Sequence, residues 1–312
     1  IGRCDIGIRN AARVREAHMV GAHKSKTCLG LLPLVCMLLV VAVSSKALAS
    51  ESSGQTSLTD VDKSAVASLP KWHGQSANVI ATIDLTQPFG TRTHWTFVAA
   101  ILAGSHPGAL DGEPIDGGPL AQCFVNDLMA RCTCGKPGSH DLLAWFSTPI
   151  QLYLAKVVYA GTDNARPLLL IETGAASGGD GGHSIYTKLF TYDRPSNKFE
   201  AVFSNATSSN NNQKTRFIEQ GPLRGDVIVD DPTSSAPFGY WISVYALKGD
   251  AYSLSLRYRS ATHYGDGNRL SVIDSEMPGI LRRMGLWRAG DPLPAPSGCS
   301  HAVLRHGEEW CE

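Results

Sequence analysis

A glycine-rich string around one aspartate and one histidine is the most unusual local pattern in the chain. In Gly178-Gly179-Asp180-Gly181-Gly182-His183, the glycines tolerate positive φ and allow a close approach to a ligand. Asp180 and His183 together have the chemistry to hold a metal ion or to move a proton. A flexible loop between two strands explains the same residues, because Asp-Gly turns are frequent in β proteins. We take Asp180 and His183 as candidate binding residues.

A second polar cluster follows an alternating, strand-like segment. Arg257 and Arg259 are two residues apart, so on a strand they share one face and can clamp a carboxylate or phosphate. His263 and Asp266 follow, and the glycine-rich loop 264–268 offers oxygen ligands without the spacing of a calcium loop. These four residues are further binding candidates. A solvated strand face that ends in a turn is the alternative explanation.

Five cysteines lie beyond residue 50, and disulfide bonds are their expected use in an exported chain. Cys299 and Cys311 bracket a Pro/Gly-rich tail and form the simplest pair, worth about 2–3 kcal/mol on a loop-entropy argument. Cys123 can then pair with Cys132 or Cys134, which leaves one thiol over. The spacing of Cys132 and Cys134 matches zinc sites poorly, so we assign no metal ligand.

The printed sequence lacks the common catalytic signatures. It contains no G-x-S-x-G, no H-E-x-x-H, no phosphate-binding loop and no dinucleotide-binding fingerprint. Ser68 and Lys71 fit S-x-x-K in letters only, because Pro70 interrupts the helix that would align them. We therefore assign no catalytic residue, and the cofactor stays unknown.

Residues 24–50 have the order of a secretory signal peptide. Two lysines precede an apolar run, 28–43, and Ala47-Leu48-Ala49 then matches a signal-peptidase site. The run is shorter than a membrane-spanning helix needs and contains a proline, although a retained anchor is the alternative. We predict an N-terminal signal helix, cleavage after Ala49 and a periplasmic or secreted location.

The sequence divides into segments of different composition. We interpret 1–18 as an upstream or fragment segment and 19–49 as the signal peptide. A Ser-rich flexible linker, 50–76, precedes a single β-rich domain, 77–295, and a C-terminal tail, 296–312.

Charge excludes one class of partner. Residues 1–49 hold 7 Lys and Arg against 2 Asp and Glu, so the rest carries 21 against 26, a net charge of about −5. Without a basic stripe, nucleic acid is not expected as a partner. Contact with the membrane is expected only through the signal segment during export, and the partner is an unknown ligand or envelope protein.

Strand-like runs recur at short spacing through the β-rich domain. They are 78–85, 95–102, 120–129, 149–159, 167–172, 185–192, 199–203, 216–219, 226–229, 240–247 and 252–259. Turn chemistry at Pro88-Phe89-Gly90 and at 193–197 separates neighbouring runs. In the last run, alternation predicts that Tyr252, Leu254, Leu256 and Tyr258 share a buried face (the polar residues facing the other way).

These runs predict an all-β fold with one short C-terminal helix. The connections are too short for helical crossovers, so we expect a mainly antiparallel meander, arranged as a sandwich, a barrel or a propeller-like fan. Residues 270–273 are expected to form a last strand. Residues 275–284 are expected to form the helix, opened by Ser275 and ended near Arg282 and Arg283.

Residues 168–203 follow the rhythm of one propeller blade: buried strand, Gly/Asp loop, strand, hairpin, strand. This segment resembles the FG-GAP class of repeats in secreted and cell-surface β-propellers, although no second copy recurs at a fixed period. The whole chain also resembles bacterial exported proteins that carry a signal peptide. Neither resemblance implies an activity.

Three hypotheses about function follow. The leading one is a non-catalytic envelope or secreted protein that binds a ligand or partner through loops at one end of a β scaffold. The second is a periplasmic hydrolase using Asp180, His183, His263 and Asp266, with or without a metal, and Arg257 to hold an anionic substrate. The third is a structural or assembly factor that pairs its sheet edges with a partner strand.

Overall fold

The computed structural model describes residues 77–102, 105–106, 115–116, 120–126, 129–133, 149–161, 166–176, 183–208, 213–263, 266–292 and 299–312. The signal helix and the linker predicted from the sequence lie outside these residues. So do Asp180 and Cys134.

Three four-stranded antiparallel sheets follow one another along the chain. The first has the order β1 (Ala77–Asp84), β2 (Trp95–Leu102), β5 (Leu120–Asn126), β6 (Met129–Thr133), with a small hairpin of β3 (Ser105–His106) and β4 (Ile115–Asp116) inserted. The second contains β7 (Pro149–Ala160), β8 (Arg166–Ala176), β9 (His183–Asp193) and β10 (Lys198–Ser208). The third contains β11 (Lys214–Phe217), β12 (Val227–Pro232), β13 (Tyr240–Lys248) and β14 (Ala251–Arg259).

This architecture confirms the all-β, mainly antiparallel prediction. Among the described residues, each of the three large sheets is open, with an edge strand on either side. Successive meanders packed on one another are also the arrangement of neighbouring propeller blades. The FG-GAP resemblance itself stays a prediction.

The sheets pack face to face and a helix covers the third. Phe97 and Phe124 of the first sheet meet Leu169 and Ile171 of the second. The opposite face of the second sheet meets the third through Leu168, Leu170 and Phe203 against Val227 and Val229. On its other side the third sheet packs Ile228, Ile242 and Val244 against Ile280 and Leu281 of helix α2 (Val272–Arg283).

Two local predictions around α2 are wrong, and the connection between β1 and β2 contains a helix that was not predicted. The strand expected at 270–273 is instead the start of α2, because Ser271 caps the helix and its Oγ accepts a hydrogen bond from the Asp274 amide. The helix therefore begins before Ser275. The turn expected at Pro88-Phe89-Gly90 contains a short helix, α1 (Thr86–Phe89), ended by Gly90 at φ 55°.

The predicted face of β14 is also wrong. Val244 pairs with Leu256 but its neighbour Tyr245 pairs with Leu254, so Ser255 is the extra residue of a β-bulge. The bulge reverses the alternation: Leu256 and Tyr258 pack against the helix side, whereas Tyr252 packs in the core between the second and third sheets. Leu254 is half exposed.

The C-terminal segment forms a hairpin of β15 (Ala302–Arg305) and β16 (Glu308–Cys311), and β16 packs against α2. The predicted Cys299–Cys311 disulfide is present, with its Cα atoms 5.6 Å apart. Cys123 is disulfide-bonded as well, and the β5–β6 register places Cys132 opposite it. At residues 129–133 the backbone alone is described.

Candidate functional site

Contacts between the second and third sheets align the ends of their strands. At one end, Arg166 of β8 binds Asp250, with the guanidinium nitrogen 3.0 Å from the carboxylate, at the β13–β14 turn. At the other end, Nδ2 of Asn205 on β10 donates a hydrogen bond of 2.8 Å to Oγ1 of Thr215 on β11. The end of β8, the start of β9 and the end of β14 therefore lie at the same end of this sheet pair.

The interface between these two sheets changes from apolar to polar along its length. At the apolar end Phe203 contacts the rings of Tyr245 and Tyr252, with centroids 5.4 and 5.5 Å away. Towards the other end polar residues join apolar ones such as Leu154 and Val229, and we call these polar residues the polar end. They are Glu172, Thr187, Asn205, Thr207, Thr215 and Ser243.

Several groups at the polar end are buried without full hydrogen bonding. The hydroxyls of Thr187 and Thr207 are buried and have no hydrogen-bond partner among the described residues. Burial raises the pKa of Glu172, and the nearby charges of Lys214 and Lys156 oppose that rise. Because unsatisfied buried polar groups cost stability, this end is not arranged for stability alone.

Sheet register places four side chains of one face next to each other at the rim of the polar end. Asp231 pairs with Trp241 and Trp241 with Arg259, while Arg257 pairs with Ser243 one row below. Residues directly opposite in an antiparallel ladder share a face. Trp241 is 37% exposed, and we call this row the rim row: Asp231, Trp241, Arg257 and Arg259.

Arg257 is the available cation of the rim row. Its guanidinium carbon lies 5.0 Å from the centroid of the Trp241 ring, a cation–π distance. Within the described part of the chain Arg257 forms no hydrogen bond or ion pair, although its charge acts on Asp231. Burial raises the pKa of Asp231, and the charge of Arg257 opposes that rise.

Arg259 differs from Arg257 because its guanidinium is hydrogen-bonded to the adjoining loop 233–239. Its Nη2 donates to the carbonyl oxygens of Ser235, at 2.6 Å, and of Pro237. Thr233 closes the loop through its amide, which donates to Gly239 O at 2.9 Å. The loop presents Phe238, whose side chain is 63% exposed, beside the rim row.

The six binding residues predicted from the sequence do not form one site in the structure. Arg257 and Arg259 share a face, as predicted, but only Arg257 is free to bind. His183 begins β9 at the polar end, with only its backbone described, and Asp180 lies outside the described residues.

His263 and Asp266 belong to the opposite side of the third sheet. Their charges act on Glu308 of β16, whose pKa is raised by burial and by Glu276 of α2. Tyr258, next to Arg257 in the strand, points to the same side and donates to Oε2 of Glu276 at 2.7 Å. Arg257 points the other way, so these residues do not converge with the rim row.

Trp241 and Phe238 were not among the candidate residues identified in the sequence. One signal was present: Phe238 stands in a run of Ser, Ala, Pro and Gly, a composition typical of an exposed loop. Nothing local marked Trp241, because its exposure depends on where the second sheet ends.

Within the described ranges, no group of three or more His, Cys, Asp and Glu side chains is arranged to hold a metal ion. The same residues include no helix with the length and apolarity to cross a membrane. Comparisons with protein families, with curated proteins and with solved structures found no match to this chain.

Proposed function

We propose that this protein is a non-catalytic, exported binding protein that takes a carboxylate-bearing ligand or partner segment at the rim row. The observation that carries the proposal is Arg257, exposed, stacked on Trp241 and without a hydrogen-bond partner among the described residues. Export is supported by the signal-peptide pattern and by the Cys299–Cys311 bridge, since disulfides persist in oxidising compartments.

The chemistry of the rim row favours a carboxylate. A guanidinium presents a planar fork of N–H groups that matches two carboxylate oxygens, and stacking on the indole limits its motion before binding. Asp231 stands nearby and offsets part of the positive charge. One partly compensated cation suits a monoanion better than a phosphate dianion.

The exposed aromatic side chains favour an apolar group next to that carboxylate. Phe238 and Trp241 are both solvent-accessible, and aromatic rings supply large contact areas at binding surfaces. A ligand in which a carboxylate adjoins an aromatic or aliphatic group would use both features.

The structure does not favour the hydrolase hypothesis. The hydrolase hypothesis requires Arg257 to share a cleft with His263 and Asp266. Arg257 lies on one side of the third sheet, and His263 and Asp266 lie on the other. The binding hypothesis needs the rim row alone.

The test uses N-acetylphenylalanine as the probe and its neutral amide as the matched control. We expect saturable shifts of the Trp241 indole signal in NMR with the acid, and at least about tenfold weaker binding by the amide. Inorganic phosphate is titrated in parallel, and tighter binding of phosphate would overturn the choice of a carboxylate.

Arg257→Gln should weaken binding of the acid by about tenfold or more, because it removes a charge-assisted pair of hydrogen bonds. The control is Arg269→Gln, which removes an exposed arginine elsewhere. Equal binding by both variants, or no saturable shift in the unmodified protein, would refute the proposal.

A further inference from the structure

Glu309 of β16 is a buried carboxylate without a hydrogen-bond partner among the described residues. Its side chain is 0% exposed, and neither carboxylate oxygen is hydrogen-bonded to that part of the chain. Nδ2 of Asn268 donates to the backbone carbonyl oxygen of Glu309 at 2.8 Å, not to its carboxylate. Burying an ionised carboxylate in this state is costly, and such a group is held more easily with its proton on.

The groups around Glu309 do not neutralise it. From α2, Asp274 lies close enough for its negative charge to act on Glu309. Arg216 on β11 is already engaged by Asp274, its Nη2 lying 2.9 Å from Oδ2. Ser275 of α2 accepts a hydrogen bond from Nδ2 of Asn268, and its hydroxyl is not bonded to the Glu309 carboxylate.

The hairpin's other charged groups are likewise engaged or displaced. Across the ladder, Glu309 faces Leu304, while Arg305 pairs with Glu308 in register and its guanidinium binds Glu312. His301 lies 3.7 Å from the second oxygen of Glu312. Of the other α2 charges, Glu276 acts on Glu308, Arg282 lies beside Gly307, and Arg283 lies over the ring of Tyr258.

Burial, with a smaller contribution from Asp274, raises the pKa of Glu309 to about 7. A raised pKa means that the docked hairpin binds a proton more tightly than the free segment does. Docking is therefore strongest below the ordinary glutamate range and weakens as pH rises through about 7.

We propose that the β15–β16 hairpin is a pH-dependent latch on α2, closed while Glu309 keeps its proton and released when that proton leaves. The Cys299–Cys311 bridge ties the base of the hairpin, so the two strands leave α2 together. The inference is independent of ligand binding at the rim row, which lies on the other face of the third sheet.

The test is hydrogen exchange of the β16 amides in the full chain with its disulfides intact. After correction for intrinsic exchange, protection should fall by about tenfold or more between about pH 5.5 and about pH 8.5. Glu309→Gln, which cannot ionise, should keep similar protection at both values. Unchanged protection in the unmodified protein would overturn the latch.

Two control variants separate Glu309 from its neighbours. Glu312→Gln removes the partner of His301 and Arg305, and Glu308→Gln removes the other acid of β16 with a raised pKa. Both should keep the pH response, and its loss in either one alone would refute the assignment to Glu309. If Glu309→Gln fails to fold, a carboxyl titration of the unmodified protein decides, because an ordinary pKa for Glu309 overturns the proposal.

Discussion

The two interfaces of the second sheet are built differently. Against the first sheet it presents rings: Phe124 contacts Phe190 and Phe199, with centroids 5.0 and 4.9 Å away. Against the third sheet it presents apolar side chains at one end and hydroxyl, amide and carboxyl groups at the other. The first interface buries apolar side chains along its length, whereas the second buries fewer of them at the end where the rim row lies. Under the proposed function, the first interface therefore serves stability and the second leaves room for ligand binding.

Removing a ring from the aromatic interface should have the largest effect. Phe124 is 8% exposed and contacts three other phenylalanines, so Phe124→Ala leaves a cavity and should cost about 3–5 kcal/mol in the free energy of unfolding. Denaturant titration measures this cost. Ile80→Ala, at a half-exposed position of the same sheet, should cost less than about 1 kcal/mol. Similar costs for both would contradict the contrast between the interfaces.

The second-largest loss of stability is expected from adding a side chain where the second and third sheets approach each other closely. Gly225 has φ +91°, and a Cβ there would lie 2.9 Å from Cα of Ala160, a backbone atom that cannot move aside. Gly225→Ala should therefore cost about 2–4 kcal/mol, combining backbone strain and steric overlap.

Gly221 supplies the matched control for that substitution. It also has positive φ, +76°, but no atom within 4 Å of an added Cβ. Gly221→Ala should cost only about 1 kcal/mol, measured in the same denaturant titration. If the two alanine variants are equally stable, the sheets do not approach as closely as described.

At the polar end, a hydroxyl should be dispensable for stability. Thr187 is 1% exposed, and its hydroxyl has no hydrogen-bond partner in the part of the chain that the structure describes. Thr187→Val should therefore stabilise the fold by about 1 kcal/mol. Thr215→Val removes the acceptor of the Asn205 amide and should instead destabilise by about 1 kcal/mol. Thermal unfolding compares the two, and the same sign for both would refute the description of the polar end.

The smallest effect is expected at the rim row itself. Arg257→Gln should change the free energy of unfolding by less than about 0.5 kcal/mol, because the side chain is exposed and forms no hydrogen bond with a described residue. Arg259→Gln should cost about 1–2 kcal/mol, since it releases two carbonyl oxygens of loop 233–239. A larger loss for Arg257 than for Arg259 would reverse their proposed roles.

Strand runs could be predicted because their signals are local. The run 95–102 coincides with β2, and the turn chemistry at 193–197 is borne out by the β9–β10 hairpin, with Asn197 at φ 50°. The N-cap of α2 is also a local signal. The sequence predicted it at Ser275 whereas the structure has it at Ser271, because either serine can begin a helix. The position of the helix start is decided by which residues can bury their apolar side chains against the sheet.

Faces could not be predicted as reliably as runs. Alternation in β14 is regular in the sequence, yet the bulge at Ser255 turns Leu256 and Tyr258 to the side opposite Tyr252. A single extra residue has no signature in the sequence, because it is selected by the packing on both sides of the sheet. For the same reason, the sequence did not predict the exposure of Trp241 or the separation of His263 from Arg257.

By itself, then, the sequence determined most strands of the three large sheets, the β9–β10 turn, the Cys299–Cys311 pair and the shared face of Arg257 and Arg259. Each of these follows from periodicity or chemistry within a few residues. Only the tertiary structure decided that the polar ends of two sheets coincide. It also decided that, among the described residues, Arg259 has hydrogen-bond partners whereas the side chains of Arg257 and Glu309 have none. These depend on contacts between segments far apart in the chain, and distant contacts leave no local pattern to read.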